Sequence, residues 1–149
     1  LDDPSEGEEA CYQLISEFYR AVGTTFPEAW DRPATSASSR LIHGAGIQAM
    51  GFVMEDLYFR HGARTAPDFR EGLKRLKGVF PEGHLREGEN ITAWTGGSWN
   101  LGQGDVRDWK AIQNLGRDIL ALANYLLGQI AWAEKYPEGQ SHVDSAKVA

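Results

Sequence analysis

The chain has 149 residues, 42% of them apolar and 24% charged, with 15 Lys and Arg against 21 Asp and Glu for a formal charge of −6. That length suits one domain with a sizeable core, and the acidic balance argues against a surface devoted to gripping phosphate backbones. A single cysteine, Cys11, excludes an intrachain disulfide, and no apolar run approaches the roughly 18 residues of a membrane span. The opening "LDDPSEGEEA" has neither an initiator Met nor a basic n-region. It reads as an excised domain or a processed chain and not as a signal peptide, and a cytoplasmic protein is expected.

In chain order, Pro4 with Glu6, Glu8 and Glu9 opens a helix: proline fits the first turn, and acids meet the positive end of the macrodipole. Cys11, Leu14, Ile15, Phe18, Tyr19 and Val22 recur at helical spacing. This face buries Cys11 as an inert thiol, and Gly23 ends the helix. In "TTFPEAWDRP", Phe26 and Trp30 anchor a turn. A second helix is expected after "ATSASSR", capped by Ser36, Ser38 or Ser39. It carries Leu41, Ile42, Ala45, Ala49, Met50, Val53, Met54 and Leu57 as a wide stripe, with Gly62 as C-cap. A third, shorter helix runs from Pro67 through Phe69, Leu73 and Leu76 to near Gly78.

Residues 80–105, "FPEGHLREGENITAWTGGSWNLGQGD", are dense in glycine and turn residues. A loop of this length carries function or short structure of its own, and "NITAW" is a candidate strand. The last helix is expected to be capped by Asp105 or Asp108 and to run for about 28 residues, ~42 Å. Trp109, Ile112, Gly116, Ile119, Ala123, Leu126 and Ile130 mark its stripe. The fold class is therefore mainly α: one helical domain over residues 1–135, of about four helices with a long Gly/Trp-rich loop. Residues 136–149 form a polar tail, expected to be frayed.

The stretch "RLIHGAGIQAMG" raises the question of a phosphate loop. Its spacing is G-x-G-x-x-x-x-G, with serines and not a strand before it and no Lys-Ser/Thr after it, which argues against nucleotide binding. Gly44, Gly46 and Gly51 instead suggest close approach of a neighbour, with the final helix as the expected partner. His43 is open to three readings: a general base, a ligand, or a histidine whose ring is satisfied inside a helix contact. His43, His61, His84 and His142 are scattered without metal-ligand spacing, so neither a metal nor another cofactor is expected, and no nucleophile signature is present. Gln113, Asn114, Arg117, Asp118 and Asn124 interrupt the last apolar segment, with Asn114, Arg117 and Asn124 on one expected face. Trp94, Trp99 and Trp109 bracket "TGGSWNLGQGD", either to grip a partner or to pin the loop to the core.

"FYRAVGTTFPEAW", "SRLIHGAGIQAMGFVMEDL" and "WKAIQNLGRDILALANYLL" together resemble the C-terminal helical region of DGQHR-domain proteins, across most of residues 10–132. That group is associated with DNA phosphorothioation and other bacterial DNA-modification or phage-defence systems. The Asp-Gly-Gln-His-Arg motif itself is absent, so no catalytic residue carries over. The resemblance implies a non-catalytic accessory domain that contacts a protein partner or an upstream domain, with nucleic acid met only indirectly and no membrane. The competing expectation is a ligand-binding or enzymatic site between the His43 segment, the Asn114/Arg117 face and the Trp94–Trp99 loop. Its candidate residues are Arg40, His43, Gly44, Trp94, Trp99, Asn114 and Arg117.

Overall fold

Pro4 does open the first helix, α1 (Pro4–Thr25), in a computed structural model that describes residues 4–31, 34–77 and 92–135. The expected tail at 136–149 and part of the expected strand at 90–94 lie outside the described residues. Phe18, Ala21 and Val22 are buried on α1, but Cys11 is exposed and Ile15 is 45% exposed, so the N-terminal half of the stripe faces outward. Gly23 does not end the helix. A Cβ at Gly23 would lie 2.6 Å from Cδ1 of Trp30, so the glycine gives room for a ring. The next residues, α2 (Pro27–Trp30), fold back on α1, with Trp30 stacked on Tyr19 at 5.6 Å and Phe26 buried.

The serine-rich stretch forms turns instead of a helix start. Ser38 Oγ accepts from the Thr35 amide at 2.8 Å, and buried Ser39 donates to the Ala29 carbonyl at 2.7 Å. The helix α3 (Gly44–His61) begins later, capped by His43. Gly62, at φ 68°, ends it in the left-handed conformation expected of a C-cap, and the Ala63 amide closes on the Leu57 carbonyl. Helix α4 (Ala66–Leu73) starts with a reciprocal capping box between Thr65 and Asp68 and tightens into a 3₁₀ turn at Lys74–Lys77.

In its described part the glycine-rich loop enters a hairpin, short structure of the kind that its length suggests. Strands β1 (Ser98–Asn100) and β2 (Val106–Asp108) pair antiparallel, with Trp99 opposite Arg107. Gly102, Gln103 and Gly104 all have positive φ, which the two glycines adopt without strain. Asp108 caps a 3₁₀ turn at Trp109–Ala111 and not the final helix. That helix, α5 (Gly116–Lys135), is 20 residues long and shorter than its apolar pattern suggests, because Val106–Asp108 pairs as a strand.

Two helix pairs build the molecule: α1 lies against α4, and α3 against α5. Phe18 and Phe69 meet edge to face at 5.2 Å in the first pair. Met50, Val53, Leu57, Leu122 and Leu126 are fully buried or nearly so, and each such side chain contributes about 1.5–3 kcal/mol. Leu73 and Leu76 join the pairs, and Trp99 plugs the hairpin into the core beside Tyr125 at 5.9 Å. Among the described residues the architecture is mainly α with one small hairpin. Among the described residues no helix is long and apolar enough to cross a membrane.

Candidate functional site

Residues Arg40 to Gly44 form a tight bend that delivers the chain into α3; of the seven candidate residues Arg40, His43 and Gly44 lie along it, Trp94 and Asn114 lie against it, and Trp99 packs behind Trp94. The Arg40 amide donates to the Trp94 carbonyl at 2.7 Å, fixing the bend to the segment before the hairpin, where residues 92–94 of the expected strand form an irregular bend and no strand. Its guanidinium is buried and donates to the carbonyls of Lys110 at 2.8 Å and Ser36 at 3.5 Å. It also lies 5.9 Å from the centre of the Trp109 ring. The charge is thus met by carbonyl dipoles and an aromatic face, a combination suited to a planar guanidinium.

His43 acts as the N-cap of α3: its Nδ1 accepts from the Ala45 amide at 3.2 Å. That bond needs the ring nitrogen unprotonated. Burial, and secondly the positive charge of Arg40, push the His43 pKa below its ordinary value. A base with a depressed folded-state pKa destabilises the fold as it is protonated, so the cap contributes fully above about pH 6.5 and is lost as pH falls through the lower folded value. Urea unfolding at pH 7.5 and pH 5.5 should show a loss of stability at the lower pH. In His43→Asn, which can cap without titrating, that loss should shrink. An unchanged pH dependence would remove His43 from the account.

Gly44 and Asn114 touch. A Cβ at Gly44 would meet the Asn114 amide at 3.2 Å, and Asn114 Oδ1 accepts from Gln48 Nε2 at 2.9 Å. Trp94 and Trp99 are both buried and pack edge to face at 5.0 Å, with Phe26 behind Trp94 at 6.0 Å. Their indole nitrogens and the Nε of Arg40 are buried without a hydrogen-bond acceptor. Setting the positive edge of one indole against the negative face of the other offsets part of that cost.

Arg117 stands apart. It is exposed on the first turn of α5, with Nε 4.0 Å from Asp118 Oδ1. Because α5 begins at Gly116, Asn114 and Arg117 share no helix face and Gln113 with Arg117 is no helical pair; Gln113 bonds the Lys110 carbonyl instead. The residue that the sequence understates is Asp118. It is buried, accepts from the Gln113 amide at 2.9 Å and pairs with Arg107 at 3.2 Å, tying hairpin, connector and helix together. A lone aspartate at the head of "DILALANYLL" was the available signal.

The glycines also divide. At Gly46 a Cβ would fall 1.8 Å from the Arg40 carbonyl oxygen, so the close neighbour is the chain's own preceding bend and not α5. Gly51 meets nothing within 4 Å. Chemically, the bend offers carbonyls, amides, one engaged guanidinium and one capping imidazole. Among the described residues no group of three His, Cys, Asp or Glu is placed to hold a metal ion. Comparison of the chain with protein-family models, with curated proteins and with solved structures found no match.

Proposed function

We propose that this chain is a non-catalytic helical contact domain, working in a bacterial DNA-modification or phage-defence protein of the DGQHR kind. The observation that carries the contact role is a set of large apolar side chains left outward on two helices. On α1 these are Tyr12, 72% exposed, and Ile15; on α3 they are Phe52 and Phe59, the latter 79% exposed. Gly51 opens the α3 surface further. Scattered apolar residues are ordinary, but pairs of large ones on one helix, three residues apart at Tyr12 and Ile15 and two turns apart at Phe52 and Phe59, suit a protein partner. Meanwhile Arg40, His43 and Asn114 direct polar atoms at partners within the chain, which favours a structural role for the bend over a ligand site. The DNA-linked setting rests on the sequence resemblance alone.

The test is to mix the chain with the Asp-Gly-Gln-His-Arg-bearing region of such a protein and follow complex formation by size-exclusion chromatography. A complex is expected, and a Tyr12→Ser/Phe59→Ser variant should weaken it at least tenfold while keeping its circular dichroism. Tight, salt-sensitive DNA binding by this chain alone, or failure to form the complex, would overturn the reading.

A further inference from the structure

Beside Tyr12 lies a cleft of about 670 Å³, a volume able to hold a ligand or a few side chains of a partner. Tyr12, Gln13, Glu17 and Arg20 line it from α1, and Arg64 and Thr65 line it from the link between α3 and α4. Arg64 carries the surface on to α3. Its guanidinium lies 3.5 Å from the centre of the Tyr58 ring, and Tyr58 meets Phe59 edge to face at 4.9 Å. Tyr12 and Phe59, exposed on separate helices, are thus joined across this arginine.

Arg64 is fixed in place with one edge unused. Its Nη1 donates to the Ala63 carbonyl at 2.9 Å and to the Tyr58 carbonyl at 3.2 Å, and the ring contact sets the plane of the group. Among the described residues, Nε and Nη2 of Arg64 have no acceptor and no carboxylate within 4 Å. The same edge of Arg60 holds Asp56 at 2.6 and 3.0 Å, and that of Arg107 holds Asp105 at 3.0 and 3.1 Å. Twice in this molecule, then, the Nε/Nη2 edge takes a carboxylate through two parallel bonds, as a planar fork favours. A guanidinium already immobilised loses little further freedom when it pairs.

Charge selects what fits. The chain as a whole carries −6, yet the cleft is lined by two cations, Arg20 and Arg64, against one acid, Glu17. Glu17 does not answer Arg64, because its Oε2 is buried and lies 3.1 Å from Arg20 Nη1. Asp68 is turned to the backbone amides of Arg64 and Thr65, at 3.0 and 3.2 Å. Glu8 and Glu9, on the preceding turn of α1, stay outside the lining.

We infer that this cleft receives an acidic peptide segment of the protein partner, with one Asp or Glu carboxylate bound by the Nε/Nη2 edge of Arg64. Apolar side chains flanking that acid lie on Tyr12 and Phe59. The inference rests on the contact role proposed above and names what the partner presents there. An isolated surface ion pair is weak, so a short peptide is expected to bind with a dissociation constant of about 0.1–1 mM.

The probe is the peptide acetyl-Leu-Asp-Leu-Glu-Leu-amide, titrated into the full nitrogen-15-labelled chain and followed by amide chemical shifts. The amides of Gln13, Arg64 and Thr65 should shift together and saturate. The Asn/Gln counterpart of the peptide should bind about threefold more weakly or worse. Comparing the two peptides on the unaltered chain needs no variant, so a destabilising change at Arg64 cannot obscure the result. Arg64→Gln and Arg64→Lys should each weaken the acidic peptide to a similar degree with unchanged circular dichroism, since lysine keeps the charge but lacks the fork. Arg70→Gln, at an exposed arginine of α4 outside the cleft, should leave binding alone. No saturable shift up to about 5 mM peptide overturns the inference. So does equal binding of the neutral counterpart, an Arg64→Gln chain that binds as well as the unaltered one, or tighter binding of inorganic phosphate at the same residues. These outcomes do not depend on the complex with the Asp-Gly-Gln-His-Arg-bearing region. If that complex fails while the acidic peptide binds at Arg64, the partner named above falls and the acidic-peptide site stands.

Discussion

Gly46→Ala is expected to destabilise the domain by about 2–4 kcal/mol, although alanine is the better helix former by up to ~1 kcal/mol. The added Cβ would lie 1.8 Å from the Arg40 carbonyl oxygen, 2.8 Å from its carbon and 3.0 Å from Leu41 Cα. All three are backbone atoms, so no side chain can rotate away. The Arg40 carbonyl accepts from the His43 amide at 3.3 Å, and the same residue holds Trp94 through its amide and Lys110 through its guanidinium. Moving the bend therefore disturbs three segments at once. Gly51→Ala is the matched control. It sits on the same helix with nothing within 4 Å, so the propensity gain is unopposed and a rise of up to ~1 kcal/mol is expected. Urea midpoints measure both, and equal shifts at the two positions would refute the close-approach explanation.

The opposite signs expected at Gly46 and Gly51 also show what a sequence can and cannot convey. Three glycines in eight residues announce that something comes close. Which glycine needs the space depends on the path of residues 40–43, and that path is set by the Arg40–Trp94 backbone bond between segments far apart in sequence. The apolar spacing of α3, α4 and α5 was legible because each helix buries a continuous stripe, and Gly62 was legible as a C-cap because a left-handed residue there favours glycine.

Helix starts were harder to read. Ser36, Ser38 and Ser39 look like caps, yet the chain uses Ser38 and Ser39 for turns and a buried tie to Ala29, and His43 takes the cap. Trp109 and Ile112 match the α5 period by coincidence of spacing. Strands of three residues, with Trp99 alone fully buried, leave too short an alternation to outweigh that period. The candidate cluster was legible as a neighbourhood of Arg40, His43, Gly44, Trp94, Trp99 and Asn114. What sequence spacing leaves open is where each polar atom points, and the bonds to Lys110, Ala45 and Gln48 decide that.

Asp118→Ala should cost about 2–4 kcal/mol, mainly by releasing the hairpin from the head of α5. Asp118 Oδ2 takes the Gln113 amide, and Oδ1 takes Arg107 Nη1; the carboxylate also sits in the first turn of α5, where negative charge meets the positive end of the helix dipole. Its side chain is 10% exposed against 29% for Arg107, so the two halves of the pair are not equivalent. Arg107 keeps a bidentate hold on Asp105 at 3.0 and 3.1 Å when Asp118 is gone, whereas the Gln113 amide loses its acceptor. Arg107→Ala is accordingly expected to cost less than Asp118→Ala. Asp118→Asn, which retains an acceptor for Gln113 but not the charge, should fall between wild type and Asp118→Ala. The Arg107→Ala/Asp118→Ala double variant should recover about 1 kcal/mol of coupling relative to the sum of the single changes. Amide exchange separates local from global loss: faster exchange at Leu101, whose amide bonds the Asp105 carbonyl at 2.8 Å, with slow exchange kept at Leu122 and Leu126, would mark a detached hairpin on an intact helical body. Additive single effects, or uniform exchange through α5, would mean that Asp118 holds the helix alone and that the hairpin is pinned by Trp99.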